Sequence, residues 1–231
     1  MMDQPGLPED EHRLALAGLA RLNRFTGIAS QLYRHLRREA CRNPGRTLRI
    51  LDVASGSADL PLAWAVRARR DGLKFEITTT DISDFAIAEQ QRLAKQYDVQ
   101  INSVQADCLN DPLPGGFDVV TNSLFMHHLD EHDVGRLTER MLDISRGKVM
   151  ICDLERSRSN LALVSVGAHL LSRSVVVHHD ARWSVRGAFT RDELKHLVRA
   201  ASGQDAAVRR VIPCRMFVML RGRCAAVKES R

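Results

Sequence analysis

Two groups of residues in this chain have the types and spacing to do chemistry: a set of aspartates and a set of histidines. Asp52 and Asp59 flank a turn of small residues, Ala54-Ser55-Gly56-Ser57-Ala58. Asp81 ends the next β-like run and Asp107 follows the one after. A tight turn between a strand and a helix often takes a pyrophosphate against the helix N-terminus. Carboxylates on both sides of this turn would repel a phosphate and attract a cation. A ligand with sulfonium and ammonium groups and no phosphate fits that field. Asp81 occupies the position that binds a ribose diol in nucleotide-binding α/β sheets, where two acceptor oxygens suit two hydroxyls. Its alternative role is a helix cap, since Ile82-Ser83-Asp84 opens another helix. His127 and His128 are adjacent, and His179 precedes Asp180. Imidazole can take up a proton near neutral pH, and an aspartate beside it can orient the ring.

These residues need a scaffold, and the periodicity supplies one. Leu48 to Val53 is a short apolar run with β-branched residues, a buried parallel strand. Asp59 and Pro61 open a helix that runs to about Arg70, Asp59 being suited to capping its first N–H groups. Phe75–Thr80, Val99–Gln105, Phe117–Asn122 and Val149–Cys152 are further strands, with helices running to about Tyr97 and from Asp130 to Ser145. Thr190 and Glu193 form a capping box for a last helix, which Gly203 ends. Ala206–Ile212 and Met216–Leu220 make a final hairpin. Upstream, Leu16, Leu19, Leu22, Phe25, Ile28, Leu32 and Leu36 recur at helical spacing. Gly27 divides that stretch into two helices.

Composition narrows the function. The chain has 231 residues, enough for one α/β domain with a cap, and 44% are hydrophobic. No apolar run reaches the roughly 18 to 20 residues of a membrane span. The first ten residues are acidic and lack the apolar core of a signal peptide, so a cytoplasmic location is expected. Cys41, Cys108, Cys152, Cys214 and Cys224 show no Cys-x-x-Cys spacing and read as free thiols, with no metal site. The net charge of +6 comes from scattered arginines, and aromatics are only 5%. A solvated surface is favoured over a nucleic-acid groove.

The segment Asp52-Val-Ala-Ser-Gly-Ser-Ala-Asp59 resembles motif I of the class I S-adenosylmethionine-dependent methyltransferases. That family usually has an acidic residue followed by Gly-x-Gly-x-Gly. This chain keeps Gly56 and carries Ala54 and Ala58 at the outer positions. The resemblance spans roughly residues 45 to 222. It implies a Rossmann-like fold: a seven-stranded, mostly parallel sheet with a C-terminal antiparallel hairpin and N-terminal lid helices. It implies a lid over residues 1–45, a methyltransferase domain over 46–231, and an insertion over 154–188 that caps the acceptor site. S-adenosyl-L-methionine is the implied cofactor, held by Asp52, Ala54, Ser55, Gly56, Asp59, Asp81, Ile82, Asp107, Cys108, Asn122 and Ser123. In the family an acidic residue at the position of Asp107 often bonds the adenine amino group.

Asn122 to Leu129 is similar to the segment after strand four in small-molecule methyltransferases, which often holds a His-His pair. The Asn/Asp-Pro-Pro-aromatic motif of DNA-amine methylation is absent. Arg21-Leu-Asn-Arg-Phe-Thr-Gly27 and His179-Asp-Ala-Arg-Trp-Ser-Val-Arg186 are similar to a bacterial subgroup associated with phenolic polyketide or quinone-like products. The implied reaction is O-methylation of a small aromatic or lipid-like acceptor, phenolic or quinol-like. His127 and His179 are the candidate bases, and His128, Asp180 and Trp183 the candidate acceptor contacts. A homodimer is compatible with this reading. C-methylation of a quinone-type precursor stays open. So does a non-catalytic cofactor-binding protein, because of Ala54 and Ala58. A nucleotide-dependent oxidoreductase is disfavoured by the motif I carboxylates.

Overall fold

The computed structural model describes residues 18, 23, 26–163 and 183–224. Seven strands form one sheet in the order β3-β2-β1-β4-β5-β7-β6. They are β1 (Leu48–Val53), β2 (Phe75–Asp81), β3 (Asn102–Gln105), β4 (Phe117–Ser123), β5 (Ser145–Leu154), β6 (Arg209–Val211) and β7 (Arg215–Arg221). β1 to β5 run parallel, and β7 is antiparallel to both β5 and β6. The expected Rossmann-like arrangement, with its C-terminal hairpin, is the observed one.

The strand order explains where a ligand can sit. β1 pairs with β2 on one side and with β4 on the other, so consecutive strands diverge from β1. In open α/β sheets, a ligand crevice lies beyond the carboxyl ends of the strands at such a switch point. β1 is buried along nearly its whole length, as a central parallel strand should be. Its side chains alternate between two apolar clusters. Leu51 and Val53 pack with α4 (Glu131–Ile144) and α5 (Arg191–Ser202). Leu48 and Ile50 pack with α1 (Ile28–Arg42) and α2 (Asp59–Arg70), and α3 (Asp84–Gln96) meets α2 through Ala94 and Leu62.

Trp64 ties this second layer together. It is fully buried, and its indole Nε1 donates to the Ala29 carbonyl at 3.1 Å, which locks α2 to α1. Losing a buried aromatic of this kind typically costs about 3–5 kcal/mol.

Several boundaries differ from the sequence reading, each for a local reason. β3 starts at Asn102, because Val99 N–H closes the turn after α3 by donating to the Ala94 carbonyl. β5 starts at Ser145, directly after α4, with a register irregularity between Phe117 and Val119 of β4. β6 is only three residues long. Gly27 does break the N-terminal stretch, in the left-handed region at φ 67°, and α1 begins at the next residue. The capping box of Thr190 and Glu193 and the Gly203 C-cap are both present on α5. Among the described residues no helix is long and apolar enough to cross a membrane.

Candidate active site

The carboxylates converge on the turn after β1. Asp52 is buried, and Thr121 Oγ1 of the neighbouring strand donates to its Oδ1 at 2.5 Å. Burial pushes the Asp52 carboxyl up to about 7. Hydrogen bonds from Thr121 and Ser55 pull it back, and the charges of Asp59 and Asp81 push it further up. This is a carboxylate poised to gain from a nearby cation.

The turn itself is built from left-handed residues. Ala54, Gly56 and Ala58 have φ of 54°, 54° and 56°. These are the three glycine positions of motif I, and alanine at two of them carries backbone strain. Two successive N–H groups pin the turn to β2. Ser55 N–H donates to the Thr80 carbonyl at 2.9 Å, and Gly56 N–H donates to Asp81 Oδ2 at 2.8 Å. Gln90 Nε2 of α3 donates to the Gly56 carbonyl at 2.7 Å, and Gln90 itself accepts from Thr79 Oγ1. The sequence pattern alone does not distinguish Gln90. It is a mid-helix glutamine whose buried position becomes clear only when α3 lies beside the turn.

Asp59 is placed differently from the sequence expectation. The α2 N-cap is Ala58, no side chain caps that end, and Asp59 is already helical. Asp59 Oδ2 instead accepts from Asn23 Nδ2 at 3.1 Å. The segment preceding α1 therefore reaches motif I through Asn23, a second residue the sequence did not single out.

Asp81 accepts from both Gly56 and Ser83 N–H groups, while Ser83 is the true side-chain cap of α3. Asp81 is a connector between the turn and β2 rather than a cap. Ile82 beside it is 65% exposed, an apolar side chain at the mouth of the crevice. Asp107 is half-buried. The Leu109 N–H and the Asn110 side chain donate to its carboxyl, which holds it below the usual carboxylate range. Cys108 packs in the core, and burial lifts its thiol to about 11. At the end of β4, Asn122 Nδ2 donates to the Val53 carbonyl at 2.9 Å. Asn122 Oδ1 and Ser123 Oγ are buried with no partner among the described residues. Unmet polar atoms at a strand's carboxyl end are what a polar ligand would satisfy.

The histidines follow on a short 3-10 turn, Met126–His128. His127 is buried, and its Nδ1 lies 2.6 Å from Asp153 Oδ1 at the end of β5. His127 N–H and Leu154 N–H also donate to the Asp153 carboxyl, at 3.2 and 2.6 Å. Burial pushes Asp153 up, but the His127 charge and these hydrogen bonds outweigh it and hold the carboxyl below its ordinary range. The rings of His127 and His128 have centroids 4.1 Å apart, and His128 is exposed with Phe125 6.2 Å away. Asp153 was visible in the sequence only as a strand-ending acid. Its pairing with His127 requires β4 and β5 to be neighbours.

A Cβ on Gly187 would sit 2.8 Å from the His127 carbonyl, so the chain returning from the insertion passes directly over the histidine turn. Trp183 lies one helical turn earlier, 57% exposed, with the Arg186 guanidinium 5.5 Å from its ring centre. His179 and Asp180 lie outside the described residues, as does most of the expected N-terminal lid.

A family model described as a methyltransferase domain matches residues 50–166. The fold is similar to a Synechocystis magnesium protoporphyrin IX methyltransferase with bound S-adenosylhomocysteine. That pair has TM-score 0.60 and 13% identity, covering 96% of this chain and 91% of that one. It is also similar to human N-acetylserotonin methyltransferase in complex with S-adenosylmethionine, at TM-score 0.53 and 17% identity, covering 75% and 47%. The mitomycin 7-O-methyltransferase matches at TM-score 0.55 and 18% identity, covering 76% and 49%. This chain spans about half the length of those last two proteins. No curated protein sequence matches the chain.

Proposed function

The chain belongs to the methyltransferase-domain family, and from that premise we propose that it methylates a phenolic or quinol-like hydroxyl of a small aromatic acceptor, with S-adenosylmethionine as donor. The observation that carries the oxygen acceptor is the buried His127–Asp153 pair beside the crevice at the switch point.

The residues present fit the cofactor. Asp52, made basic by burial, suits an ammonium group. Asp81, and the buried Asn122 Oδ1 and Ser123 Oγ that have no partner among the described residues, suit hydroxyl and amine donors. Exposed Ile82 suits one face of a planar base. When bound, S-adenosylmethionine supplies a methyl group on a sulfonium, already activated toward a nucleophile.

The protein's own task is then to hold the acceptor and to take its proton. A free phenol has a pKa near 10, so little of it is ionised at neutral pH. Asp153 accepts the hydrogen bond from His127 Nδ1, which leaves Nε2 as the proton acceptor. Nε2 removes the acceptor's hydroxyl proton as the oxygen gains its methyl. Exposed His128, half-buried Phe125 and the exposed Trp183 ring offer flat surfaces for an aromatic acceptor. Positioning supplies much of the remaining rate, as it does when two reactants are held together.

The test has two parts. Calorimetry with S-adenosylmethionine and S-adenosylhomocysteine should show binding of both, and no heat with either would remove the premise of activity. A panel of catechols, hydroquinones and their methyl ethers, analysed by mass spectrometry, should yield O-methyl products from the free phenols only. Carbon-methylated products would replace this reading.

A further inference from the structure

A groove lies between α1 and the β6–β7 hairpin, over β5 and β7. The groove has a volume of about 780 Å³, within the range of roughly 300–1,000 Å³ typical of small-molecule pockets. One end is bridged where Gln31 Nε2 of α1 donates to the Ile212 carbonyl at 2.8 Å. The other is bridged where Lys148 of β5 contacts Glu39 of α1. The floor is the sheet surface at Phe217 and Met219, with the His35 ring stacked on Phe217 at a centroid distance of 4.8 Å.

The walls are cationic and unevenly neutralised. Glu39, the only carboxylate lining the groove among the described residues, is engaged by Arg42 at 3.0 Å and by Lys148. Arg210 is held by Glu155 outside the groove, through two bonds of 2.7 and 2.8 Å. Arg34, Arg38 and Arg209 also line it, all exposed, and none pairs with a carboxylate among the described residues. Arg34 and Arg38 are one helical turn apart on the same face of α1, so their Cβ atoms are roughly 6 Å apart. Arg209 faces them from β6. The His35 imidazole registers this field: burial first, then Arg38, Arg34, Lys148 and Arg209, hold its pKa below the ordinary value.

Cations that face one another across a concave, apolar-floored groove concentrate positive potential there. The guanidinium fork matches carboxylate and phosphate oxygens two at a time. We infer that this groove binds a small polyanion, a molecule with two or more phosphate or carboxylate groups, clasped by Arg34 and Arg38 on one wall and Arg209 on the other. The groove floor accommodates an apolar or planar body between those groups.

Calorimetric titration of the full chain with tripolyphosphate and with citrate, each with and without saturating S-adenosylhomocysteine, tests this. At least one probe should bind in both conditions, and the tighter of the two tells phosphate from carboxylate recognition. The Arg34→Ala/Arg38→Ala double variant and Arg209→Ala should each weaken that binding at least about tenfold. Arg70→Ala, an exposed arginine at the end of α2, should leave it unchanged. Failure of both probes to bind would overturn the inference. An equal loss in Arg70→Ala would reduce it to general surface charge. Abolition by S-adenosylhomocysteine would place the probe in the switch-point crevice instead.

Discussion

His127 Nδ1 lies 2.6 Å from Asp153 Oδ1, and both side chains are buried at the carboxyl ends of neighbouring parallel strands. The carboxylate also accepts two backbone N–H groups, so its position does not depend on the histidine alone. With Nδ1 engaged by the carboxylate, Nε2 is the ring nitrogen left for another partner.

If His127 is the base, His127→Ala lowers turnover at least about tenfold, since general bases contribute roughly 10²- to 10⁴-fold. Cofactor affinity stays near wild type. Asp153→Asn should also lose at least about tenfold, because the amide no longer fixes the tautomer. Both losses should shrink as pH nears the phenol's own pKa, where the acceptor ionises unaided. Turnover measured across pH 6 to 10 decides the point. A loss of constant size at every pH would mean that His127 holds the acceptor and moves no proton.

Asp52 predicts a pH dependence of binding. Its folded pKa of about 7 lies above the ordinary 3.8. A cationic cofactor prefers the ionised form, so affinity for S-adenosylmethionine should fall as pH drops below about 7. Stability without ligand runs the other way. The folded state holds the Asp52 proton more tightly than the unfolded one. The stability it contributes is full below about pH 4 and is lost as pH rises through about 7. Denaturation and titration of wild type against Asp52→Asn at pH 5 and 8 measure both. An Asp52→Asn variant with the same pH profile as wild type would assign these effects to other groups.

Much of this arrangement was legible in the sequence, for reasons that particular residues make plain. Leu48 to Val53 reads as a buried strand because four of its six side chains are apolar and branched, and Thr190 with Glu193 carries a cap in its own local chemistry. Asp52, Gly56 and Asp81 stand out because a turn and two strand ends fix them locally. Asp153, Gln90 and Asn23 do not, because their roles depend on contacts 26, 34 and 36 residues away in the chain. Periodicity carries no information about such partners. The groove arginines were visible only as scattered charge, since α1 and β6 meet only in the folded sheet.

Asp81 joins motif I to β2, and its removal should show in two measurements. Asp81→Ala takes an acceptor from Gly56 and Ser83 N–H groups and from the proposed ribose pair. Hydrogen bonds to charged groups contribute roughly 1.5–3 kcal/mol each. Cofactor affinity should therefore fall at least about tenfold, and the protein without cofactor should also be less stable. An unchanged affinity with reduced stability would make Asp81 structural only.

Ala54 and Ala58 supply the last prediction. Both hold φ near +55°, where an L-residue with a Cβ pays roughly 1–2 kcal/mol. Glycine removes that strain, but it also gives the unfolded chain more freedom, an opposing effect of about 0.4–1 kcal/mol. Ala58 is fully buried at the start of α2, where the surrounding structure leaves it no other conformation. The net effect of Ala54→Gly or Ala58→Gly should be a gain of about 0.5–1 kcal/mol each. The two sites are four residues apart in one turn, so the double variant need not be additive. Urea denaturation of both single variants and the double, at constant m-value, gives the answer. A loss of stability in both single variants would show that the methyl groups, packed under the turn, stabilise it by more than the left-handed backbone costs.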